Sequence, residues 1–415
     1  MLYFSKKISK VFFVITLLIT VKNPNIVIHS LPVLAQVKPL EPNPLETFIE
    51  DPLLPSVPRP LTSFEQRKLR EQLNTLNAEA QTQLHADNDN VAFKIWYREL
   101  RLRRVLGRLE EIKSLGRVGE IAWNRTRTED VQVINKRLVT LQELSEKEDS
   151  LSSALLMALA DAYKKLHALD NSLAIYQKVL NNARQNNDSI AEEAAIRELG
   201  QLYLAKFDYP KAAPIYEDLL NRSQTRQNIL EEGVYLQILA EIYGRSLQPE
   251  NAARIKQKLV ENYLSSQELE LIPSLKTAIG KDYEILGNPE IASQNYQEAY
   301  SLAWSFQLFG AAAEALTHLG NLYQKYDQND YALKIYKNLI QVEQLSYNYY
   351  GLMRVYEKIG QIYMVSQQYE VALEFFKKGL ILAQSLNYKQ NDFLAYIQKA
   401  NTRIEGGKIK KEVSP

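Results

Sequence analysis

The chain has 415 residues, 46% of them hydrophobic, and its 50 basic and 49 acidic side chains give a formal charge of +1. That balance leaves no global field to hold nucleic acid or an anionic membrane surface, so nucleic acid is not an expected partner. The absence of Cys removes thiolate nucleophiles, zinc-thiolate sites and disulfide bracing together, and only four His remain (His29, His85, His167, His318).

Residues 1–35 read as an export signal. A basic start (Lys6, Lys7, Lys10) precedes the apolar run Val11 to Val21, which is shorter than the ~20 residues a spanning helix needs. Val33 and Ala35 then offer small residues before Gln36, and this end resembles many cyanobacterial export signals. The expectation is a soluble protein of the periplasm or thylakoid lumen, with no substantial membrane insertion once the signal is cleaved. An uncleaved N-terminus would make the chain a membrane-tethered organiser of the cell envelope instead. Residues 36–61 form a Pro-rich linker. Pro39, Pro42, Pro44, Pro52, Pro55, Pro58 and Pro60 fix φ and lack amide donors, so neither helix nor sheet should persist there and a spacer is expected.

From residue 62 to 405 one register governs the chain. Ala160, Gly200, Ala240, Gly280, Gly320 and Gly360 stand 40 apart without insertion or deletion. Each is preceded by Leu or Ile (Leu159 through Ile359) and followed three places on by Tyr (Tyr163, Tyr203, Tyr243, Tyr283, Tyr323, Tyr363). Twelve places on come Ser172, Ala212, Ala252, Ala292, Ala332 and Ala372, and sixteen on come Tyr176, Tyr216, Lys256, Tyr296, Tyr336 and Phe376. A small residue and an aromatic three or four apart share one helix face, so each unit predicts a helical hairpin with Tyr filling the gap beside its small neighbour. Polar turns such as Leu169-Asp170-Asn171, Gly287-Asn288-Pro289 and Asn329-Asp330 are expected to cap or start the second helices.

The ruler extends backwards to Ala92 and Trp96 through a degenerate unit. There Trp123 takes the Tyr slot and Gly119 the Leu slot, while Gln132 and Lys136 replace Ala and the aromatic. About eight hairpins are expected from Phe64 to about Leu386, with Asp392 to Arg403 as a capping helix and a disordered tail over 406–415.

The Leu-Gly pair, Tyr, Ala and aromatic at these offsets resemble the tetratricopeptide repeat in a forty-residue variant. The resemblance implies an all-α, right-handed superhelical solenoid of tetratricopeptide-like hairpins that binds protein segments and is not an enzyme. Six residues beyond the 34-residue motif would lengthen the second helix and the link to the next unit. Lys256 and Ser172 depart from the motif and predict locally looser packing. In this family the first helices line a concave groove at three positions around the small residue. Carried over, they are Arg117, Asn124, Asp161, Lys164, Arg197, Gln201, Gln237, Glu241, Thr277, Lys281, Glu284, Thr317, Asn321, Gln324, Glu357 and Gln361. The basic-to-mixed run suits a client peptide with acidic groups or a C-terminal carboxylate. The carboxylate clamp of chaperone-binding relatives is not reproduced, since Thr317 stands where Asn321 would need a Lys partner.

The arginine cluster of Arg98, Arg101, Arg103, Arg104 and Arg108 reads either as an ion-paired helix face or as a docking patch for an acidic partner. No phosphate loop, nucleophile elbow or zinc-type His pair occurs, so no catalytic residues are assigned. No cofactor is expected either, although Asp161, Glu241, Glu284 and Glu357 are oxygen donors of the kind Mn(II) takes; the sequence assembles no site from them. The whole plan is similar to the processing-associated tetratricopeptide proteins of cyanobacteria. That similarity implies an assembly factor for photosystem II, which binds a reaction-centre subunit precursor and is linked to manganese supply.

Overall fold

The computed structural model describes residues 43–412 apart from 48 and 58, so the expected signal and the start of the Pro-rich stretch lie outside the described residues. Among the described residues there are seventeen α-helices and no strand, and the first sixteen helices pair into eight hairpins. They are α1 (Ser63–His85) with α2 (Asp89–Arg103), α3 (Arg108–Asn124) with α4 (Thr128–Lys147), α5 (Ser153–Lys165) with α6 (Leu169–Gln185), and α7 (Ser189–Ala205) with α8 (Tyr209–Thr225). There follow α9 (Ile229–Arg245) with α10 (Pro249–Ser266), α11 (Ile272–Ile285) with α12 (Pro289–Ser305), α13 (Phe309–Lys325) with α14 (Asn329–Leu345), and α15 (Tyr349–Val365) with α16 (Tyr369–Ser385). The last helix, α17 (Gln390–Glu412), packs on α16 and continues past Gly406, where a disordered tail was expected. The chain is an all-α solenoid of tetratricopeptide-like hairpins. Ion pairs such as Lys164 with Glu198 (2.5 Å) and Lys281 with Glu314 (2.7 Å) join first helices of successive hairpins into one face. Lys178 with Glu146 (2.5 Å) and Arg254 with Glu217 (3.6 Å) join second helices into the other.

The forty-residue period is two halves of twenty. In the regular part both helices of a hairpin are 17 residues long, as in α7 and α8, and the turn within a hairpin is as short as the link between hairpins. The additional length therefore falls on both helices, and the expected longer link does not form. Each turn places one residue in the left-handed region, from His167, Asn187, Phe207 and Gln227 through Leu247 and Gln267 to Asn387, and only Gly287 in that series is glycine. Side-chain caps also sit elsewhere than expected. Asp188, Asn228 and Asn348 cap first helices through bonds to Ala191, Glu231 and Gly351, whereas Asn288 makes no cap bond and Asp170, Asn329 and Asp330 lie inside their helices. Pro249 and Pro289 open α10 and α12, where the missing N–H costs nothing.

The small residue of the register seats the aromatic of the second helix, sixteen places on, rather than the Tyr three places on. A methyl added to Gly280, Gly320 or Gly360 would overlap the ring of Tyr296, Tyr336 or Phe376 respectively. In three units, at Tyr163, Tyr243 and Tyr323, the Tyr three places on instead ties its hairpin to the second helix of the one before. The Tyr163 hydroxyl donates to Gln142 (2.9 Å), Tyr243 donates to Glu217 (2.6 Å), and Tyr323 meets Ser293 (3.2 Å). The expected looseness at the two departures is absent. Ser172 is fully buried with its hydroxyl donating to the Ala160 carbonyl (3.3 Å), and Lys256 forms a largely buried pair with Asp282 of the next hairpin (2.6 Å).

The degenerate unit is built differently. With Lys136 in place of the aromatic, the small residues of α3 serve the next hairpin: Gly116 lies against Ala162, and Gly119 leaves room for Leu166. Helix α3 thus packs directly on α5, and α4 touches α5 only lightly. The Pro-rich stretch keeps turns rather than helix or strand, but from Asn43 on it is no free spacer. Leu45 is 1% exposed within the main core, and Asn43 donates to the Val133 carbonyl of α4 (3.1 Å).

Candidate functional site

The first-helix face carries the expected groove positions, and the structure divides them into two sections. Over α11–α17 they are spent on the protein itself. Glu284 accepts the buried Tyr296 hydroxyl (3.0 Å), and Asn321 and Gln324 accept that of Tyr336 (2.8 and 3.2 Å). Glu357 is itself buried and accepts from Tyr396 (2.9 Å) and Lys389 (3.3 Å), with Gln361 beside it. Thr277 is 2% exposed with its hydroxyl on the Pro273 carbonyl, and Thr317 likewise bonds the Ala313 carbonyl, so neither presents a free polar group. Buried polar groups need partners, and in this section the groove residues are those partners.

Over α5–α9 the arrangement is open. Tyr176 and Tyr216 fill the same second-helix slot, yet neither hydroxyl has a hydrogen-bond partner among the described residues. Burial pushes the Tyr216 phenol up to about 12 and raises that of Tyr176 as well, so both stay protonated and present O–H donors at neutral pH. A cleft of about 590 Å³ lies over Tyr176, bounded by Met157, Ile190, Glu193, Arg197 and Glu198. A second of about 250 Å³ lies over Tyr216, bounded by Gln201, Glu231, Val234 and Ile238. Arg197 belongs to both clefts. Its guanidinium reaches Glu193 (3.0 Å) and Glu231 (3.6 Å), while its buried Nε has no acceptor. Ile190 is 83% exposed and Met157 and Val234 are exposed too, so apolar surface borders these donors.

The basic character expected of the N-terminal groove is cancelled locally. Lys164 pairs with Glu198, and Arg197 with Glu193 and Glu231, carboxylates that the groove positions left out. The four-residue spacing of Glu193 and Arg197 was the available signal. Arg226 holds Glu193 from the other side (2.9 Å) and keeps its carboxyl below the usual range. Asp161 pairs with Lys165 (2.9 Å), Glu241 with Arg245 (2.7 Å), and Gln237 donates to Tyr263 (2.9 Å). Arg117 is drawn out of the groove set into a network with the fully buried Glu99 (2.8 Å) and with Asn77, and Asn124 is exposed at the end of α3. Among the described residues no three His, Asp or Glu are placed to hold a metal ion, so Asp161, Glu241, Glu284 and Glu357 are not brought together. No helix among them is long and apolar enough to cross a membrane.

No family model matches the chain, and no curated protein does. Among solved structures it is similar to BtubC from P. vanneervenii, at 20% identity over 53% of this chain and 92% of that one, with a TM-score of 0.38. It is similar to the apo form of RapI, at 14% identity over 81% and 99% of the two chains, TM-score 0.39. It also resembles a signal transduction ATPase with a tetratricopeptide repeat sensor from Pyrococcus horikoshii, at 15% identity and TM-score 0.42. That match covers 85% of this chain but only 53% of the ATPase.

Proposed function

We propose that the protein is a non-catalytic adaptor that holds an extended segment of a client protein on the α5–α9 part of its first-helix face. The observation that carries this reading is the contrast within one repeated slot: Tyr296 and Tyr336 are satisfied internally, whereas Tyr176 and Tyr216 offer free hydroxyls beneath two clefts that share Arg197. A client backbone supplies carbonyl acceptors for those hydroxyls, and its apolar side chains have Met157, Ile190 and Val234 to cover. Paired carboxylates around Arg197 disfavour selection by charge alone. The test is photo-crosslinking in cells with a reactive residue at Ile190 and, as a control, at Tyr331. Adducts with a discrete partner at position 190 and none at 331 are expected; equal labelling at both would remove the reading.

The finer reading is an exported assembly factor for photosystem II whose client is a reaction-centre subunit precursor. It rests on the signal read in the first 35 residues and on the similarity of plan. Identification of the position-190 adduct by mass spectrometry tests it, since a client of unrelated identity rejects it while leaving the adaptor reading in place.

A further inference from the structure

The second-helix face at the N-terminal end holds a peptide already, and it is the chain's own. Residues 43–47 and 49–54 lie over α2 and α4 as a strap with a turn at each end, Glu46 N–H bonding the Asn43 carbonyl and Leu54 N–H that of Asp51, and it is anchored by apolar, polar and acidic side chains. Leu45 enters the core, Asp51 takes a two-pronged bond from Arg98 (2.7 and 3.0 Å), and the Pro44 carbonyl accepts from Arg101 (3.3 Å). Glu46 accepts from Thr140 (3.2 Å) and lies 3.9 Å from Arg137. Arg98 and Arg101 of the arginine cluster therefore receive an acidic, proline-containing segment, while Arg104 of the same cluster is turned to Glu111 (3.5 Å).

The strap is held by the buried Leu45 and Asn43, by Leu53 and Leu54 packed against the Leu69 and Leu73 cluster, by one carbonyl and by two carboxylates, and its prolines suppress pairing of its own backbone; such anchoring by side chains in pockets is the form a bound peptide takes. It is joined to α1 through only eight residues, 55–62. We propose that this α2–α4 face is a second recognition surface, separate from the first-helix clefts, whose external partner is an acidic, proline-containing segment of another protein that displaces the strap. The tether keeps the strap at an effective concentration on the order of millimolar, so an external segment of equal intrinsic affinity competes poorly until the strap is released.

The experiment uses the full chain and a fluorescent peptide with the sequence of residues 41–56, read by anisotropy. Leu45→Asp should release the strap and raise the affinity for the peptide at least tenfold over the unaltered chain. Adding Arg98→Glu and Arg101→Glu to that variant should abolish the gain while leaving the melting curve unchanged. A folded Leu45→Asp chain that binds no better than the unaltered chain overturns the proposal. Should that variant fail to fold, a protease site placed between Pro55 and Arg59 and cut after folding gives the same information. The cut strap should exchange with labelled peptide, and a strap that never exchanges is part of the core, which also overturns the proposal. A concentration-dependent dimer formed by exchanged straps would overturn it in favour of a second copy of the chain.

Discussion

Two stretches of the first-helix face share one repeat and differ in what they leave unfinished. Over α11–α16 each aromatic of the second helix is pressed against a glycine and its hydroxyl, where it has one, is bound by a groove residue. Over α5–α8 the register places Tyr176 opposite Ala160 and Tyr216 opposite Gly200, where an added methyl would stop 3.1 Å short of the ring instead of overlapping it, and both tyrosines line open clefts. Between the two stands α9/α10, where the slot holds Lys256 and the seat is Ala240. The repeat thus supplies similar scaffolding in both stretches, and they differ in the hydrogen bonds that one completes and the other does not.

The boundary gives the largest effect. Lys256→Ala leaves Asp282 buried without its cation, a loss of about 3 kcal/mol by analogy with other broken buried pairs. Because stability in a solenoid is carried between neighbours, denaturant unfolding followed by circular dichroism should change from one transition to two, with the stretches separating at α10/α11. A single, unshifted transition would show that the two stretches are not distinct.

Glycine seats should respond next. Gly320→Ala forces the Tyr336 ring from its place and should cost about 1–3 kcal/mol, against a gain in helix propensity of about 1 kcal/mol. At Gly200 the nearest atoms of Tyr216 and Ile215 would be 3.1 Å away, tight but relieved by a shift of a few tenths of an ångström, so Gly200→Ala should cost clearly less than Gly320→Ala. Thermal melts of both variants measure the difference, and equal shifts would erase the distinction between tight and loose seats.

The smallest effect is also the most discriminating. Tyr336→Phe removes the donor to Asn321 and Gln324 and should cost about 1 kcal/mol without altering the position-190 crosslink. Tyr216→Phe should leave stability within a few tenths of a kcal/mol and weaken crosslinking instead. The reverse pattern in paired melts and crosslink yields would place the binding surface in the other stretch.

Much of this was legible in the residues. The three-residue offset from Gly200, Gly280, Gly320 and Gly360 to Tyr203, Tyr283, Tyr323 and Tyr363, repeated every forty residues, specifies helices, because residues three apart share a helix face and lie on opposite faces of a strand. The partner of each seat was not legible: a Tyr three places on and one sixteen places on are equally near in pattern, and only the packing of α13 on α14 assigns Gly320 to Tyr336. Groove positions were named by register alone. Register locates Glu284, Asn321 and Glu357 on a face but cannot say that buried tyrosines claim them.

By itself, then, the sequence determined the helices, their pairing into hairpins and the apolar stripes that bury them, since these follow from contacts a few residues apart along a helix. Tertiary structure decided where the turns bend and which polar groups are left over. Phe207, Leu247 and Tyr347 adopt the left-handed turn conformation that their types disfavour, because 17-residue helices packed on both sides leave the chain no other way round. The strap, too, is a long-range matter. Nothing near Leu45 or Asp51 in sequence announces a binding partner, and the partners are the main core for Leu45 and Arg98, far along the chain, for Asp51.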